Sequence, residues 1–598
     1  MILEKNIIVP INTPMEKKRL NFLAKHYKET IKIRTSELDK YPNKNIMKRV
    51  IILSIISFSM FFGFAQNKKE KPLNVIWLST EDMGPLLGAY GVDVIKTPNL
   101  DKLAKEGVRY TNAYSTAGVC APSRFSIITG MYSTRLGAQN MRTGNHHNFH
   151  TPEEVTQKTY IGVKDKTGRN VPEYDVVVPA NVKCFTEVLR EEGYYCANNY
   201  KCDYQFNAPF TAWDDVSYSA SYKNAPKDKP FFFVRNFLVT HESRMWKRKD
   251  EPLTVNPEDV IVPDYFADIP EVRKDIARKY SNIEEMDRQL GEIMKDLEAD
   301  GLLDSTIIMF WSDHGGNLLR QKRAVGNSGL NVPLIIRYPD KRRAGEVEDR
   351  IVSLMDLGPT VMSLLNIKPP IHYDGKAFAG AFEEAPRSFA FGSADRFDEA
   401  VDMQRSVLDG RYVYIKNFMP ELPLIYRNKY REQITMNAKL IELNRTKKLE
   451  GDAAYIFMET KPREELYDLE NDPFEVHNIA YDPDQSIRLE KFRKALADWQ
   501  LEIGDKGFIP EHDLVEMFWP GMIQPVTDDV SFEILKNGKL KLDSTTEGAS
   551  IGYQISDEIG TNQWQLYTEP IEISKNLKLV ARAIKIGFKA SSITSKTN

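Results

Sequence analysis

Asn74-Val-Ile-Trp-Leu-Ser-Thr-Glu-Asp82 is a short apolar run that ends on two acidic residues. Such a run is typical of a strand that is buried on both faces of a sheet. Outward from it, strands alternate with helices over roughly 300 residues, which predicts an α/β fold around a mostly parallel sheet. The main predicted elements are strands at 231–234, 306–311 and 332–337 and helices at 99–107 and 272–299.

Candidate metal ligands follow two of these strands. Glu81 and Asp82 end the first run, and Asp313 and His314 come after the strand at 306–311. In open α/β sheets the active site lies at the carboxyl ends of the strands, so we expect the two pairs to meet there. Carboxylates suit a hard cation such as Ca²⁺ or Mg²⁺, although such pairs also occur as surface turns or helix caps.

A second motif, Cys120-Ala-Pro-Ser-Arg124, carries the candidate nucleophile. Pro122 predicts the start of a helix, which places Cys120 at a helix N-terminus where an anion is stabilised. A thiolate is a soft ligand and is mismatched with a hard-cation site. An oxygen nucleophile made from this cysteine would remove the mismatch.

The Cys-x-Pro-Ser-Arg pattern at 120–124 resembles the signature of type I sulfatases, whose cysteine is oxidised in the cell to Cα-formylglycine. The resemblance covers about residues 72–510 and implies the α/β sandwich of the alkaline-phosphatase-like superfamily. It also implies hydrolysis of sulfate esters. The other segments that resemble the family, in its order, are 74–84, 96–107, 311–315, 332–337, 353–360, 466–475 and 478–480.

The resemblance implies a divalent metal bound by Glu81, Asp82, Asp313 and His314 together with the oxidised Cys120. The metal is usually Ca²⁺ in this family, with Mg²⁺ as the less favoured alternative. Many relatives have aspartate where Glu81 stands. The imidazole of His314 is a softer donor than Ca²⁺ usually takes, so the metal identity rests on the resemblance alone.

The same resemblance implies a mechanism. The hydrated aldehyde at position 120 would attack sulfur with one hydroxyl and use the other to eliminate the sulfate afterwards. Arg124 would hold the formylglycine region, Lys201 and Lys322 would bind the sulfate, and His241 would protonate the leaving alcohol. Outside this pattern, such lysines are ordinary solvated charges and such a histidine is an ordinary strand-end residue.

The chain departs from the family at one point. Most relatives have a histidine two or three residues after the first lysine, where this chain has Asp203 and Tyr204. His146 and His147, which follow Arg142, are the candidates for a substrate-binding loop that replaces it. A plain solvated loop is an equally good interpretation of that cluster.

The N-terminal region predicts export. Lys48 and Arg49 precede an uncharged apolar run at 50–64 and then Ala65, which is the pattern of a signal peptide over 47–65. Residues 1–46 are then an upstream extension from a start codon called too early. A transmembrane helix needs roughly 20 apolar residues and is disfavoured, and a buried apolar helix is the remaining alternative. We expect a periplasmic or secreted protein without a membrane span in the mature chain.

The composition excludes several classes of protein. The 598 residues are 42% hydrophobic with a net charge of −3, which argues against nucleic-acid binding, and four cysteines cannot form a disulfide framework. We expect a catalytic domain at 72–385, a smaller α+β subdomain at 386–524 and a β-sandwich at 525–598. The last segment resembles the sandwich of some chitobiases and would bind polysaccharide or cap the catalytic domain.

The resulting functional prediction is a sulfatase that acts on a sulfated polysaccharide or its oligosaccharides, either algal, such as ulvan, or glycosaminoglycan. Its partners would be that carbohydrate and a formylglycine-generating or anaerobic sulfatase-maturing enzyme. A phosphate or phosphonate ester hydrolase of the same superfold is the alternative, and Cys120 disfavours it because those enzymes typically use Thr or Ser. A degenerate sulfatase that only binds sulfated glycan is disfavoured by the complete set of site residues.

Overall fold

The apolar stretch at 74–80 forms a central strand of the largest sheet. The computed structural model describes residues 72–144, 160–555, 559, 563–572 and 578–597. The strands are β1 (Asn74–Thr80), β2 (Val108–Tyr114), β3 (Tyr160–Lys164), β4 (Asn170–Pro172), β5 (Tyr195–Asn199), β6 (Asp215–Ser217), β7 (Phe231–Phe237), β8 (Thr306–Ser312), β9 (Asn331–Arg337), β10 (Val347–Ser353), β11 (Ala390–Ala394), β12 (Gln404–Leu408), β13 (Tyr412–Asn417), β14 (Glu464–Asp468), β15 (Ser531–Ile534), β16 (Leu540–Asp543), β17 (Ser550–Ile555), β18 (Gln565–Leu566), β19 (Lys578–Ile584) and β20 (Thr594–Thr597).

Helices connect these strands. In chain order they are α1 (Pro98–Glu106), α2 (Cys120–Thr129), α3 (Ser133–Leu136), α4 (Phe185–Glu191), α5 (Ser243–Lys247), α6 (Pro270–Ala299), α7 (Asn327–Leu330), α8 (Leu357–Leu364), α9 (Thr435–Arg445), α10 (Gly451–Tyr455), α11 (Ser486–Ile503) and α12 (Glu511–Phe518). The predicted helices at 99–107 and 272–299 correspond to α1 and α6, each within two residues at both ends.

The central sheet has the strand order β10-β2-β9-β8-β1-β7-β5-β6. Strand β1 runs parallel to both of its neighbours, β7 and β8. Only β9 is antiparallel to the strands beside it, β2 and β8. The mostly parallel α/β fold predicted from the sequence is therefore confirmed.

Side chains that alternate along β1 separate two apolar cores. Trp77 faces one core, where its ring lies 4.9 Å from Phe232 and 5.3 Å from Trp311, both in edge-on contact. Ile76 faces the other core, which is covered by the apolar side of α6. Because successive strand residues point to opposite faces, a strand between two layers must be apolar at almost every position.

The sheet brings the two predicted acidic pairs side by side. Thr80 at the end of β1 is paired in register with Ser312 at the end of β8. Glu81-Asp82 and Asp313-His314 therefore leave adjacent parallel strands at the same edge. This edge is also where ligands bind in open α/β sheets.

Helix α2 begins earlier than the sequence predicts. Its first residue is Cys120 rather than Pro122, with Val119 in extended backbone before it. Pro122 thus occupies the third helical position. Its missing N–H costs no intrahelical hydrogen bond there, because the N–H groups of the first turn have no intrahelical partner. The helix ends at Thr129 and is followed by the capping residue Gly130, whose φ of 66° is left-handed, and all ten helical residues are buried.

A four-stranded antiparallel sheet, in the order β11-β12-β13-β14, follows the central sheet in the chain. The hairpin between β12 and β13 turns at Asp409-Gly410, where Gly410 has a φ of 95°. Helix α11 packs on this sheet with the Trp499 ring stacked on Phe391 at 4.9 Å. The C-terminal strands then form a two-stranded and a four-stranded antiparallel sheet around one small core. Their likeness to the chitobiase sandwich stays a prediction.

Leu73–Asn598 form one compact unit, and the C-terminal strands are tied to the rest of it by specific contacts. Lys183 Nζ donates to the Gly548 carbonyl at 2.7 Å, and Trp519 Nε1 donates to the Gly587 carbonyl at 3.3 Å. In the described part of the chain, none of the helices combines the length and the apolar character needed to cross a bilayer. The predicted extension at 1–46, the signal peptide at 47–65, and His146 and His147 lie outside the described residues.

Candidate active site

Two overlapping groups of ligand atoms lie at the carboxyl edge of the central sheet. One joins Asp82, Cys120, Asp313 and His314, and the other joins Glu81 and His241 to Asp82 and Cys120. Within each group the ligand atoms lie within 4.8 Å of one another. The ends of β1 and β8 and the start of α2 therefore bring together all five of the predicted metal ligands.

The orientation of His314 indicates what lies between these groups. Its Nδ1 is 3.0 Å from the Gly315 carbonyl and donates to it, so in the neutral ring the lone pair is on Nε2. That Nε2 faces Asp82 Oδ1 at 3.0 Å and Asp313 Oδ1 at 3.7 Å. Lys322 and Arg124 offset part of this negative charge, but the convergence of a neutral imidazole nitrogen with carboxylate oxygens fits a bound metal ion. Its carboxylates fit a hard divalent cation.

Arg124 fixes the orientation of two of the candidate ligand carboxylates. Its guanidinium contacts Glu81, donates from Nε to Asp313 Oδ2 at 3.1 Å and donates from NH1 to Asn236 Oδ1 at 3.2 Å. The side chain is almost completely buried. A planar, always charged group with fixed donor directions is suited to fixing two carboxylates at once.

Two buried lysines face the same space. Lys201 Nζ lies 2.6 Å from Glu81 Oε2, and Lys322 Nζ lies 2.8 and 2.7 Å from the two oxygens of Asp82. Burial acts to lower the pKa of each lysine, but acidic groups, Cys120 among them for both, outweigh it and raise both pKa values. Both ammonium groups are therefore charged at neutral pH.

Cys120 is a protonated thiol at neutral pH. Burial raises its pKa well above the usual value, and the nearby Lys201 and Lys322 offset this only in part. Its Sγ lies 3.4 Å from His314 Nε2 and 3.6 Å from Lys322 Nζ. The helix N-terminus does not compensate for the buried surroundings, so the unmodified side chain is a poor nucleophile.

His241 presents an N–H toward Lys322. The Ser243 backbone N–H donates to its Nδ1 at 3.2 Å, and the Ser243 hydroxyl lies 2.9 Å from the same atom. The proton of the neutral ring is therefore on Nε2, which lies 3.4 Å from Lys322 Nζ. Burial and then the charge of Lys322 lower the pKa of His241 to about 4. Two donors that converge without an acceptor between them suit a bound anion.

Sequence reasoning missed a layer of charged residues behind the site. Glu242 accepts two hydrogen bonds of 3.0 Å from Arg323 and lies 3.2 Å from Lys322, and its backbone N–H donates to Asp82 Oδ2 at 2.7 Å. Despite burial, Arg323 and Lys322 hold the pKa of Glu242 down at about 2. Glu242 and Arg323 directly follow His241 and Lys322 in the chain, but charged neighbours are usually solvated, so this signal is weak.

Arg142 is the described member of the predicted substrate-binding group. Its Nε lies 2.6 Å from Asp398 Oδ1, and its guanidinium lies over the Tyr430 ring at 5.1 Å. The side chain is 41% exposed. Asp398 also pairs with Arg323 at 2.6 Å, which links Arg142 to the site through two ion pairs rather than by direct contact.

Asp203 and Tyr204, where the sequence departs from the expected family pattern, lie in different surroundings. Asp203 Oδ2 lies 3.7 Å from Lys201 Nζ and adds negative charge to that side of the site. Tyr204 is buried in the apolar core, where its ring packs on Phe206 at 5.9 Å.

Comparison with known proteins gives the family. The sequence model described as Sulfatase matches residues 73–367. An ulvan-active sulfatase of Formosa agariphila is 40% identical over 560 residues, which are 87% of this chain and 90% of that protein. Human N-sulphoglucosamine sulphohydrolase is 26% identical over 497 residues, which are 77% of this chain and 96% of that protein.

The fold is shared with solved structures. One of them, from a study of how Bacteroides thetaiotaomicron metabolises multiple glycosaminoglycans, has a TM-score of 0.51 and 16% identity. The match covers 73% of this chain and 97% of that one. The extent and identity of the Formosa agariphila match leave one conclusion: the chain belongs to the sulfatase family and is a sulfuric ester hydrolase.

Proposed function

We propose that this enzyme is an exported sulfatase that removes sulfate groups from a sulfated polysaccharide or its oligosaccharides. The observation that carries the proposal is the convergence of two charged lysines and the Nε2–H of His241 on Cys120 beside a carboxylate-rich metal group. Donors on one side and a metal on the other match the demands of a sulfate ester, which carries negative charge on its oxygens.

The substrate class is supported by two relatives. The name of the Formosa agariphila protein records activity on ulvan, and the name of the human protein records an N-sulphated glucosamine. Both are sulfated carbohydrates. The higher identity to the first favours ulvan or a related algal polymer as the substrate here, with glycosaminoglycan as the second choice.

In this proposal Asp82, Asp313, His314, Glu81 and residue 120 hold a Ca²⁺ ion, with Mg²⁺ less favoured. The bound ion would supply Lewis-acid activation of the nucleophile and shield the charge of the sulfate. Arg124 keeps Glu81 and Asp313 oriented toward the ion. In the free enzyme Lys201 and Lys322 each pair with a carboxylate, and in the complex with substrate they bind the sulfate oxygens.

Residue 120 is proposed to act as formylglycine, made from Cys120 by a formylglycine-generating or anaerobic sulfatase-maturing enzyme. The high pKa of the Cys120 thiol supports this proposal because the unmodified thiol is not ionised. The oxidised residue would supply a hydroxyl nucleophile. His241 donates its Nε2 proton to the departing alcohol, and a bound sulfate raises the pKa of the His241 ring by its negative charge.

Mass spectrometry of the tryptic peptide Tyr110–Arg124 from active enzyme tests the proposal. We expect the mass of the aldehyde, and we expect Cys120→Ser protein to fold normally but to release no sulfate over repeated turnovers. Fully active enzyme that contains only unmodified cysteine would contradict the mechanism.

Chelation tests the metal. Dialysis against a chelator should abolish turnover, and Ca²⁺ should restore it better than Mg²⁺. Asp259→Asn, at an exposed position, is the control and should respond as the wild type does. Full activity after verified removal of the metal would contradict the proposed metal site.

A further inference from the structure

A second, strongly basic pocket lies at the same edge of the central sheet. It has a volume of about 470 Å³ and is formed where β5, β6 and β7 end and α5 begins. The cations that line it are Arg235, Arg244, Lys247 and Arg248, and Glu251 is its one acidic side chain. Glu251 lies 2.6 Å from Arg248 and neutralises it. Three positive charges are left over.

Arg235 is poorly satisfied for a side chain held inside the fold. Its NH1 donates to Asn199 Oδ1 at 2.6 Å, but its buried Nε has no hydrogen-bond partner among the residues that the structure describes. Burial lowers the pKa of Arg235, and Glu292, the acid that opposes this effect, is itself 2.5 Å from Arg288. A half-buried guanidinium without a carboxylate partner favours a bound anion, because burial of an unpaired charge is costly.

Arg244 and Lys247 are also unpaired. Within the described residues, no side-chain hydrogen bond or ion pair reaches either of them. They stand on one side of the short helix α5 and line the pocket together with Arg235 from β7. Unpaired cations on two elements that face one cavity produce a positive potential that attracts anions.

An aromatic pair completes the pocket. The rings of Tyr200 and Tyr218 are stacked at 3.5 Å with an interplanar angle of 21°, and Tyr218 is 72% exposed. An exposed tyrosine held rigid by a stacked partner offers a flat apolar surface with a polar rim. Such a surface suits one face of a sugar ring.

The pocket adjoins the catalytic site through three elements. Tyr200 directly precedes Lys201, Arg235 directly precedes the Asn236 that binds Arg124, and α5 begins two residues after His241. At the ends of β5 and β7, Tyr200 and Arg235 line the basic pocket, while the residues that follow them, Lys201 and Asn236, contact the catalytic site. One extended molecule can therefore reach both.

We propose that the basic pocket binds a second anionic group, a carboxylate or a sulfate, of the oligosaccharide whose sulfate ester is hydrolysed at residue 120. This inference rests on the proposed function. It makes Arg235, Arg244 and Lys247 determinants of specificity for an acidic sugar next to the reacting one, with Tyr218 under its ring. The enzyme then selects a sulfate ester by the charge of its neighbour.

The test compares a large and a small substrate of the full-length enzyme. In the double variant Arg244→Gln/Lys247→Gln, we expect KM for ulvan oligosaccharides to rise about tenfold, equivalent to about 1.4 kcal/mol. The kcat/KM for 4-nitrophenyl sulfate should stay within about twofold, since that substrate has no second anion. The control Lys249→Gln/Lys274→Gln removes the same charge from exposed positions outside the pocket and should change neither value.

Carboxyl-reduced ulvan oligosaccharides separate the two anions. If the pocket holds a carboxylate, reduction removes the difference between wild type and double variant; if it holds a sulfate, the tenfold difference persists. An unchanged KM, an equal loss on 4-nitrophenyl sulfate, or an equal effect in the control would overturn the proposal.

Binding separates this inference from the proposed function. Calorimetric titration of Cys120→Ala protein with ulvan oligosaccharides should give an affinity about tenfold weaker when Arg244 and Lys247 are also replaced. That result would establish the pocket even if the wild type hydrolysed neither substrate, in which case only the proposed function would fail. Equal affinities would overturn the pocket whatever the activity.

Discussion

His241 and Lys322 illustrate how individual residues in this site depend on a ligand for their chemistry. The Nε2 of His241 and the Nζ of Lys322 lie 3.4 Å apart, and after burial the charge of Lys322 is the main cause that disfavours protonation of His241 in the free enzyme. A sulfate ester placed between them accepts from both. In the proposed mechanism, the bound anion thus prepares the histidine to give up its proton to the leaving oxygen.

Replacement of His241 by Gln tests its role as the acid. We expect kcat/KM for ulvan oligosaccharides to fall by about 10²–10⁴, because a sugar alkoxide leaves poorly without a proton. The loss on 4-nitrophenyl sulfate should be much smaller, since the phenolate leaves readily unprotonated. His477→Gln, on a side chain that is 72% exposed, is the control. Equal losses on the two substrates would assign His241 to binding instead.

At the scale of elements, parallel strand ends assemble the site and α6 supports it from one face. This helix spans Pro270–Ala299 and buries Asp275, whose carboxylate accepts the Met436 backbone N–H of α9 at 2.6 Å. That single contact does not offset desolvation, and burial raises the pKa of Asp275 from 3.8 to about 6. Burial of the ionised Asp275 carboxylate in this helix therefore has an electrostatic cost at neutral pH, which lowers the stability of the fold.

The direction of the Asp275 pKa shift determines how this cost depends on pH. Because the folded state binds the Asp275 proton more tightly than the unfolded state, the contribution of Asp275 to stability is greatest below about pH 4 and is lost as pH rises through 6. Asp275→Asn keeps an oxygen acceptor for Met436 and should raise the free energy of unfolding at pH 8 by at most about 3 kcal/mol. At pH 4 the difference from wild type should disappear.

Denaturant unfolding at the two pH values measures this effect. Glu298→Gln, at an exposed position of the same helix, should change stability little at either pH. A variant of Asp275 that is no more stable than wild type at pH 8 would show that the carboxylate is better solvated than its burial indicates.

At the scale of the whole molecule, the C-terminal strands are docked on the catalytic region through close backbone contact. A Cβ added at Gly548 would lie 2.5 Å from the Ala180 Cα, and Ile586 packs into the core that also contains Trp77. Such contacts favour the capping role over a freely tethered carbohydrate-binding module.

A matched pair of glycines tests the docking. Gly548 and Gly538 have φ values of 80° and 81°, but a Cβ at Gly538 would meet nothing within 4 Å. Alanine at either position costs about 1 kcal/mol in backbone strain. Gly548→Ala should cost about 1–3 kcal/mol more, measured as a lower Tm, because it pushes the Ala180 backbone away. Equal Tm values for the two variants would mean that the contact is easily displaced.

The fold and the cluster of residues around Cys120 were largely predictable, because the sequence patterns that indicate them are local. Strand β1 is apolar at almost every position, and the acidic pairs and the Cys120 motif lie within a few residues of element ends. The start of α2 was misplaced by two residues, since proline is compatible with the whole first turn and so does not mark its first position.

The layer of charged residues behind the site and the basic pocket were not predictable from sequence, for a different reason. Glu242 and Arg323 pair across 81 residues of sequence, and Arg235, Arg244 and Tyr218 come from three separate elements. An isolated arginine in sequence is most simply a solvated charge, and only its burial and missing partner in the fold reveal another role.

The sequence by itself determined the α/β class, the order of the strands along the chain and the cluster of residues around Cys120, because apolar periodicity and short motifs need no distant partner. Only the tertiary structure decided which charges are neutralised, that the Cys120 thiol stays protonated, and that three cations beside the site have no carboxylate partner within the described part of the chain. Those properties depend on burial and on distances between residues far apart in the chain, and electrostatic free energy is set by both.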